Sequence, residues 1–224
     1  MQAPADLLRL YRSAPPAARL FMRIRLMLSD IERVEREVPR RGTILELGCG
    51  HGLFSNLMAL RGPERRVIGI DLSPGKISHA RASLCGRRNI EFLGGDMLEL
   101  ELPACDAIAI VDVTYLLPRE EQLRLLKECR RRLKPGGVLV WKAQDRRPRW
   151  KFAVTWLQEA LATSTGLTQG KRRGLHFPGR EEAVAMLDAA GFSARIVEMP
   201  TRRPYTDVIY VGNIGTRDRM PPGA

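Results

Sequence analysis

The sequence predicts an α/β protein built on a doubly wound, mostly parallel seven-stranded sheet. Short apolar segments alternate with amphipathic ones along the middle of the chain, and this alternation is typical of parallel βαβ units. The segment Asp106–Val111 is apolar after its first residue, as a strand buried on both faces must be. The chain has 224 residues, 44% of them hydrophobic and 28% charged, which is enough for one folded domain without disulfides or metal.

Two helices are predicted before the first strand. The first covers residues 5–12 and ends before Pro15-Pro16. The second is predicted as one continuous helix from Ala17 to Val38, ended by Pro39. Its apolar residues recur every three or four positions and form one face; they are Leu20, Phe21, Ile24, Leu28, Ile31, Val34 and Val38.

Seven strands follow, with helices between most of them. The predicted strands are Thr43–Leu47, Val67–Asp71, Asn89–Leu93, Asp106–Val111, Val138–Ala143, Ala194–Met199 and Thr206–Val211. The predicted helices are 52–60, Pro74–Cys85, Arg119–Leu133, one near 150–162, and Arg180–Ala190. We therefore expect an N-terminal helical cap segment over 1–40 and a main domain over 41–212. Within that domain 144–179 forms an inserted cap after the fifth strand, and 213–224 forms a flexible tail.

The charge balance leaves two interpretations open. There are 37 basic and 25 acidic residues, a net charge of +12, which favours a nucleic-acid or anionic-membrane partner. However, 31 of the basic residues are Arg, a bias that a GC-rich genome produces without any function. The chain has no run of 18 apolar residues, and arginines interrupt its first 30 residues, so neither a transmembrane helix nor a signal peptide is expected.

The cysteines predict a location and argue against a metal site. The four cysteines are far apart and form no C-x-x-C pair. They are typical of reduced thiols in a cytoplasmic protein, and no metal is expected. Contact with the inner membrane face is an alternative that the net charge leaves open.

A glycine-rich segment follows the first predicted strand. It reads Glu46-Leu47-Gly48-Cys49-Gly50-His51-Gly52 and opens a helix, so the backbone can approach a ligand closely. The spacing is G-x-G-x-G and not the dinucleotide G-x-G-x-x-G, because Leu53 follows Gly52. Asp71 ends the second strand, where an acid binds a ribose hydroxyl pair in related sheets.

These segments together resemble the class I S-adenosylmethionine (SAM)-dependent methyltransferases over roughly residues 43–212. The matching motifs are ILELGCGHG (44–52), GIDLSPGKISHAR (69–81), GGDMLEL (94–100), IVDVTYLLP (110–118), LKPGG (133–137) and EEAVAMLDAAGF (181–192). The resemblance implies a Rossmann-like methyltransferase fold and SAM as the cofactor. The cofactor-binding residues that it implies are Glu46, Gly48, Cys49, Gly50, Gly52, Asp71, Leu72, Asp96, Met97 and Asp112. Acids suit this ligand, because SAM is a cation without phosphate.

The methyl acceptor is predicted from a motif that is missing and from the composition of the inserted cap. The [D/N]-P-P-[Y/F] motif of amino-methylating enzymes of DNA and some RNA is missing after the fourth strand. The cap is expected to carry all three tryptophans of the chain, Trp141, Trp150 and Trp156, with a basic rim that includes Arg146, Arg147, Arg149 and Lys151. This combination suits an apolar acid or a membrane-surface lipid, with the four basic residues in contact with an anionic membrane. The alternative is that the aromatic residues are core beneath a solvated basic surface. We therefore expect a small-molecule or lipid acceptor, methylated at oxygen, and consider nucleic acid less favoured. An RNA methyltransferase and a catalytically inactive SAM-binding protein are the alternatives.

Three residues are candidates for the chemistry: His176, Tyr115 and Asp112. His176 precedes the late helix in a segment that borders the acceptor in similar proteins. Tyr115 and Asp112 follow the fourth strand. Lys142, in the fifth strand, is predicted either to stabilise an anionic acceptor or to have a solvent-facing tip to its side chain.

Overall fold

The computed structural model describes residues 4–146, 175–199 and 206–214. Its strands are β1 (Gly42–Leu47), β2 (Arg65–Asp71), β3 (Ile90–Gly94), β4 (Cys105–Val111), β5 (Leu133–Gln144), β6 (Phe192–Glu198) and β7 (Asp207–Ile214). Its helices are α1 (Pro4–Arg9), α2 (Pro16–Leu28), α3 (Ile31–Arg36), α4 (Leu53–Arg61), α5 (Pro74–Ala82), α6 (Arg119–Arg132) and α7 (Arg180–Ala189).

The strands form one seven-stranded sheet in the order β3-β2-β1-β4-β5-β7-β6. Strands β1 to β5 pair in parallel, whereas β7 runs antiparallel to both β5 and β6. The predicted doubly wound, mostly parallel sheet is therefore confirmed, with a mixed edge. The strand order reverses between β1 and β4, and open α/β sheets bind ligands at the carboxyl ends of strands at such a point.

Successive residues of each strand supply two separate cores. Ile44 of β1 packs with the N-terminal helices, α4 and α5 on one face of the sheet. Its neighbour Leu45 packs with α6 and α7 on the other face. The alternation follows from the two-residue period of a strand. Trp141 is fully buried in this second core, so its predicted place in the cap is wrong.

The single helix predicted from Ala17 to Val38 is wrong. The chain forms α2 and α3, separated by Ser29 in extended backbone and Asp30. The Asp30 side chain accepts a hydrogen bond from the Arg33 backbone N–H at 3.3 Å, as helix N-caps do. The break also separates the apolar face of α2 from that of α3. Leu20 and Ile24 are 60% and 46% exposed, although the periodicity predicts that they are buried.

Smaller differences from the predicted elements concern the bounds of β5 and β7. Strand β5 begins at Leu133 rather than Val138, and β7 extends to Ile214, into the predicted tail. The helix expected near 150–162 and most of the expected cap over 144–179 lie outside the described residues. No helix in the described ranges is long and apolar enough to cross a membrane.

Candidate functional site

A pocket opens at the carboxyl ends of β1, β2 and β4, where the strand order reverses. Most of the predicted site residues line it: Glu46, Gly48, Cys49, Gly50, Asp71, Leu72, Asp96, Met97, Asp112 and Tyr115. Gly52 and His176 are not among the lining residues. The fold thus gathers residues from four separate motifs around one cavity.

The three glycines of the loop have different structural roles. All have positive φ, at 77°, 56° and 77° for Gly48, Gly50 and Gly52, which favours glycine. A Cβ at Gly48 would lie 2.6 Å from Val113, and one at Gly52 would lie 2.5 Å from Phe92. A Cβ at Gly50 would meet nothing within 4 Å. Gly48 and Gly52 therefore allow close internal packing, whereas Gly50 presents bare backbone to the pocket.

Asp71 holds this loop in place. Its carboxylate accepts the Gly50 backbone N–H at 2.8 Å and the Ser73 backbone N–H at 2.9 Å. A carboxylate has about four acceptor sites, so these two bonds leave capacity for hydroxyls of a ligand. Asp71 therefore links the glycine loop to β2 and still lines the pocket.

Glu46 is a buried acid at the base of the pocket. Its carboxyl accepts a hydrogen bond from the Ser55 hydroxyl. Burial raises the pKa of Glu46 to about 8, although the bond from Ser55 opposes the shift. The group is therefore largely protonated at neutral pH, and its effect on the pocket is that of a polar neutral side chain.

Glu46 should make the stability of the protein depend on pH. The carboxyl has a pKa of about 4.3 in the unfolded state and of about 8 in the folded state, so the folded state binds an extra proton at pH values in between. Stability should therefore fall from about pH 5 to 8, by up to ~1.4 kcal/mol per pH unit. In the Glu46→Gln variant this decline should be absent. Urea unfolding at several pH values measures it. The exposed Glu64→Gln should keep the decline, and a Glu46→Gln profile parallel to wild type would contradict the assignment.

Asp112 lies at the end of β4 with a φ of 54°, rare outside glycine. Its carboxylate accepts hydrogen bonds from four side chains, at 2.6 Å from Lys142, 2.8 Å from Gln144, 3.3 Å from Ser29 and 3.4 Å from Arg25. Burial raises its pKa, but the charges of Lys142 and Arg25 outweigh burial and hold the pKa below its usual range. The carboxylate is thus ionised, and its acceptor sites are taken up by protein side chains. Through Arg25 it connects α2 to the sheet.

Lys142 is buried and is not among the residues that line the pocket, so the prediction of a solvent-facing tip is wrong. Its side chain is 1% exposed, and its ammonium lies between Asp112 and Asp207, at 2.6 and 2.8 Å. Burial alone lowers the pKa of Lys142, but the two carboxylates outweigh it and raise the pKa. Burial beside Asp112 raises the pKa of Asp207. This buried cluster joins the ends of β4, β5 and β7 directly behind the pocket.

The N-terminal helices form part of the pocket wall. Phe21, Arg25 and Leu26 of α2 line it, as does Ile31 of α3. The Tyr11 hydroxyl anchors the segment, because it donates to the His51 carbonyl at 2.9 Å. Sequence reasoning did not single out Arg25, since it is one of five arginines in the first 30 residues and periodicity does not distinguish it. Only the contact of Arg25 with Asp112 identifies it as part of the site.

Two histidines stack beside the pocket. The rings of His51 and His79 are 5.3 Å apart, with their Nδ1 atoms at 3.2 Å. Burial, together with the nearby charge of Lys76, lowers the pKa of His51 to about 4. The His51 ring is therefore neutral at physiological pH. The motif predicted a loop position for His51 but did not predict this pairing.

Tyr115 and His176 lie on different sides of one wall. Tyr115 is buried, and its ring stacks on Phe177 at 4.8 Å. The His176 backbone N–H donates to the Tyr115 carbonyl at 2.8 Å, yet the His176 side chain is exposed and lines a separate groove with Arg119 and Arg146. Of the three residues predicted for chemistry, the structure brings Asp112 and Tyr115 to the main pocket.

Comparisons with known proteins agree with this geometry. A sequence profile described as a methyltransferase domain matches residues 44–137. A demethylmenaquinone methyltransferase of Thermus thermophilus is 31% identical over 173 residues, which cover 71% of this chain and 77% of that protein. A tRNA N(3)-methylcytidine methyltransferase of Schizosaccharomyces pombe is 31% identical over 166 residues, with 67% and 64% covered.

Solved structures share the fold. The crystal structure of a SAM-dependent methyltransferase from Aquifex aeolicus matches with a TM-score of 0.62 at 21% identity, covering 96% of this chain and 100% of that one. The chain spans less than half the length of several other curated relatives, with 38%, 44% and 42% of three of them matched. The profile match over residues 44–137 contains most of the residues that line the pocket.

Proposed function

Because the chain belongs to the class I SAM-dependent methyltransferases, we propose that it transfers the methyl group of SAM to a small-molecule or lipid-like acceptor, at an oxygen of an apolar or acidic compound. One observation carries the proposal. The pocket at the strand ends combines bare backbone at Gly50 with the carboxyl groups of Glu46, Asp71, Asp96 and Asp112.

The residues present fit SAM. The open space at Gly50 allows a ligand to pass against the loop. Asp71 has acceptor capacity left for ribose hydroxyls after its two backbone bonds. Asp96 and Met97 line the same pocket and are assigned to the adenine. Carboxylates in the wall suit the cationic sulfonium and ammonium groups.

The protein's own contribution to methyl transfer is alignment. When bound, SAM supplies an already activated methyl group, so the pocket has to orient the acceptor and exclude water. The saturated carboxylate of Asp112 favours a positioning role over proton abstraction, because it holds Arg25 and Ser29 of the N-terminal segment. Tyr115 is the predicted chemical residue that both lines the pocket and carries a hydroxyl.

The rest of the wall supports an apolar acceptor with an anionic group. Phe21, Leu26 and Ile31 add apolar surface from the N-terminal helices. Arg25 and Lys76 supply positive charge to the same pocket. An aliphatic or aromatic body with a carboxylate or a phenolate matches this combination.

RNA is the second candidate acceptor, favoured by the similarity to the yeast tRNA methyltransferase. Only four of the twelve net positive charges lie in the described ranges, so the charge of that part gives RNA little support. Residues 147–174, 200–205 and 215–224 hold ten basic and two acidic side chains, so they carry eight of the twelve net positive charges. Several exposed cations of the described part pair with acids, namely Arg66, Arg124, Arg131 and Lys134. Phosphate binding needs basic groups that are not already neutralised.

One experiment separates these functions. The purified protein is incubated with methyl-labelled SAM and a host extract divided into lipid, small-molecule and RNA fractions. We expect label in the lipid or small-molecule fraction. Label confined to RNA would establish the RNA alternative. SAM binding by calorimetry without label in any fraction would indicate an inactive binding protein.

Gly50→Ala should weaken SAM binding by about tenfold or more, because the new methyl group occupies the space next to the loop backbone. Calorimetry measures the affinity. Gly86→Ala is the matched control, since Gly86 also has a positive φ, 77°, and also has nothing within 4 Å of a Cβ, but does not line the pocket. Both variants should lose roughly 1–2 kcal/mol of stability. Equal SAM affinities of the two variants would show that the loop is only a turn.

A further inference from the structure

Helix α2 has an apolar face that points away from the core. Leu20, Ile24 and Met27 are 60%, 46% and 71% exposed. Their spacing of four and three residues places them on one side of the helix. They make up half of the six large hydrophobic side chains that are exposed in the described part of the chain. Apolar side chains gathered in one exposed stripe mark an interaction surface, whereas scattered ones do not.

The charge of α2 identifies the kind of surface that this face fits. The segment Pro16–Leu28 contains no acidic residue. Its arginines Arg19 and Arg23 are exposed, and neither makes an ion pair with the described part of the chain. Other exposed arginines, such as Arg66 and Arg131, pair with glutamates. Uncompensated positive charge beside an apolar stripe complements an anionic lipid surface.

We propose that this face of α2 lies on the surface of an anionic lipid bilayer. Leu20, Ile24 and Met27 enter the boundary between headgroups and acyl chains, and Arg19 and Arg23 contact lipid phosphates. The sequence placed membrane contact at Arg146, Arg147, Arg149 and Lys151 instead. Of these only Arg146 lies in the described ranges, where it pairs with Glu182 and donates to the Phe177 carbonyl.

The same helix connects the bilayer contact with the pocket. Phe21, Arg25 and Leu26 line the pocket wall, so the same part of α2, about two turns long, carries both the exposed stripe and part of the site. Docking through α2 therefore brings the pocket to the lipid surface. This consequence rests on the proposed function, since it gives a lipid-soluble acceptor a short path, but the contact itself does not depend on methyl transfer.

Co-sedimentation with vesicles tests the contact without SAM or acceptor. The full chain is mixed with vesicles of phosphatidylcholine alone, or of equal parts phosphatidylcholine and phosphatidylglycerol, at low and physiological salt. The wild type should bind only the anionic vesicles, and salt should weaken binding. The triple variant Leu20→Gln, Ile24→Gln, Met27→Gln should have an affinity for the anionic vesicles that is lower by about tenfold or more. Arg19→Gln and Arg23→Gln should each reduce binding about fivefold.

Matched controls keep the result decisive. Leu93→Gln with Val184→Gln replaces exposed apolar side chains elsewhere and should bind as the wild type does. Thermal unfolding checks that every variant is folded, as expected for exposed positions. A wild type that ignores anionic vesicles, or a triple variant that binds them normally, would overturn the proposal. So would a wild-type dimer that the triple variant converts to a monomer, because the face would then join two copies. Retained methyl transfer in solution by the triple variant would leave the proposed function intact.

Discussion

Replacing Asp71 with alanine should weaken SAM binding by about 2–4 kcal/mol, or roughly 30- to 1000-fold. Two losses add up. The ribose loses a charged acceptor, and the Gly50 backbone N–H loses the carboxylate that holds the loop at 2.8 Å. Isothermal titration calorimetry on the folded variant measures the change. Asp71→Asn should lie between alanine and wild type, because it keeps one acceptor oxygen but no charge.

Asp106→Ala is the matched control for this effect. Asp106 also accepts a backbone N–H, that of Thr43 at 2.7 Å, but it is not among the residues that line the pocket. Its loss should lower stability without changing SAM affinity. Unchanged SAM binding in a folded Asp71→Ala protein would overturn the assignment of the cofactor pocket.

Replacing Lys142 with methionine should lower the free energy of unfolding by about 3–5 kcal/mol. The ammonium is the group that lies between the buried carboxylates of Asp112 and Asp207. Without it, two largely buried acids face each other. Urea unfolding followed by circular dichroism gives the free energy. Adding Asp207→Asn to Lys142→Met should recover part of the loss, because one of the two buried acids is then neutral.

Lys134→Met shows what an exposed pair contributes. Lys134 pairs with Asp106 at 3.0 Å, but its side chain is 45% exposed, so its loss should cost less than about 1 kcal/mol. Equal destabilisation by the two substitutions would show that burial does not strengthen the Lys142 cluster. Lys142→Met should also loosen α2, since Asp112 holds both Lys142 and Arg25.

The N-terminal segment shows where sequence periodicity stops being sufficient. Apolar residues at helical spacing run from Leu20 to Val38, and they predict one helix with one buried face. The structure breaks this helix at Ser29 and Asp30 and exposes Leu20 and Ile24. Ser and Asp bind backbone groups locally and favour helix ends. The pattern alone cannot show that Ser29 reaches Asp112, which lies far away in the sequence.

Patterns among neighbouring residues were sufficient to predict the seven strands, because a strand repeats its side-chain directions every two residues. Gly50 and Asp71 were predicted from the glycine spacing after the first strand and from the end of the second strand, and the structure joins them by one hydrogen bond. With the resemblance that these motifs carry, the sequence predicted ten of the residues that line the pocket. Three features could be read only from the folded structure: Lys142 is buried, the carboxylate of Asp112 accepts four side-chain hydrogen bonds, and α2 lines the pocket while it exposes an apolar face. These features depend on β4, β5, β7 and α2 meeting across the sheet, and charges become buried or paired only when distant segments come together.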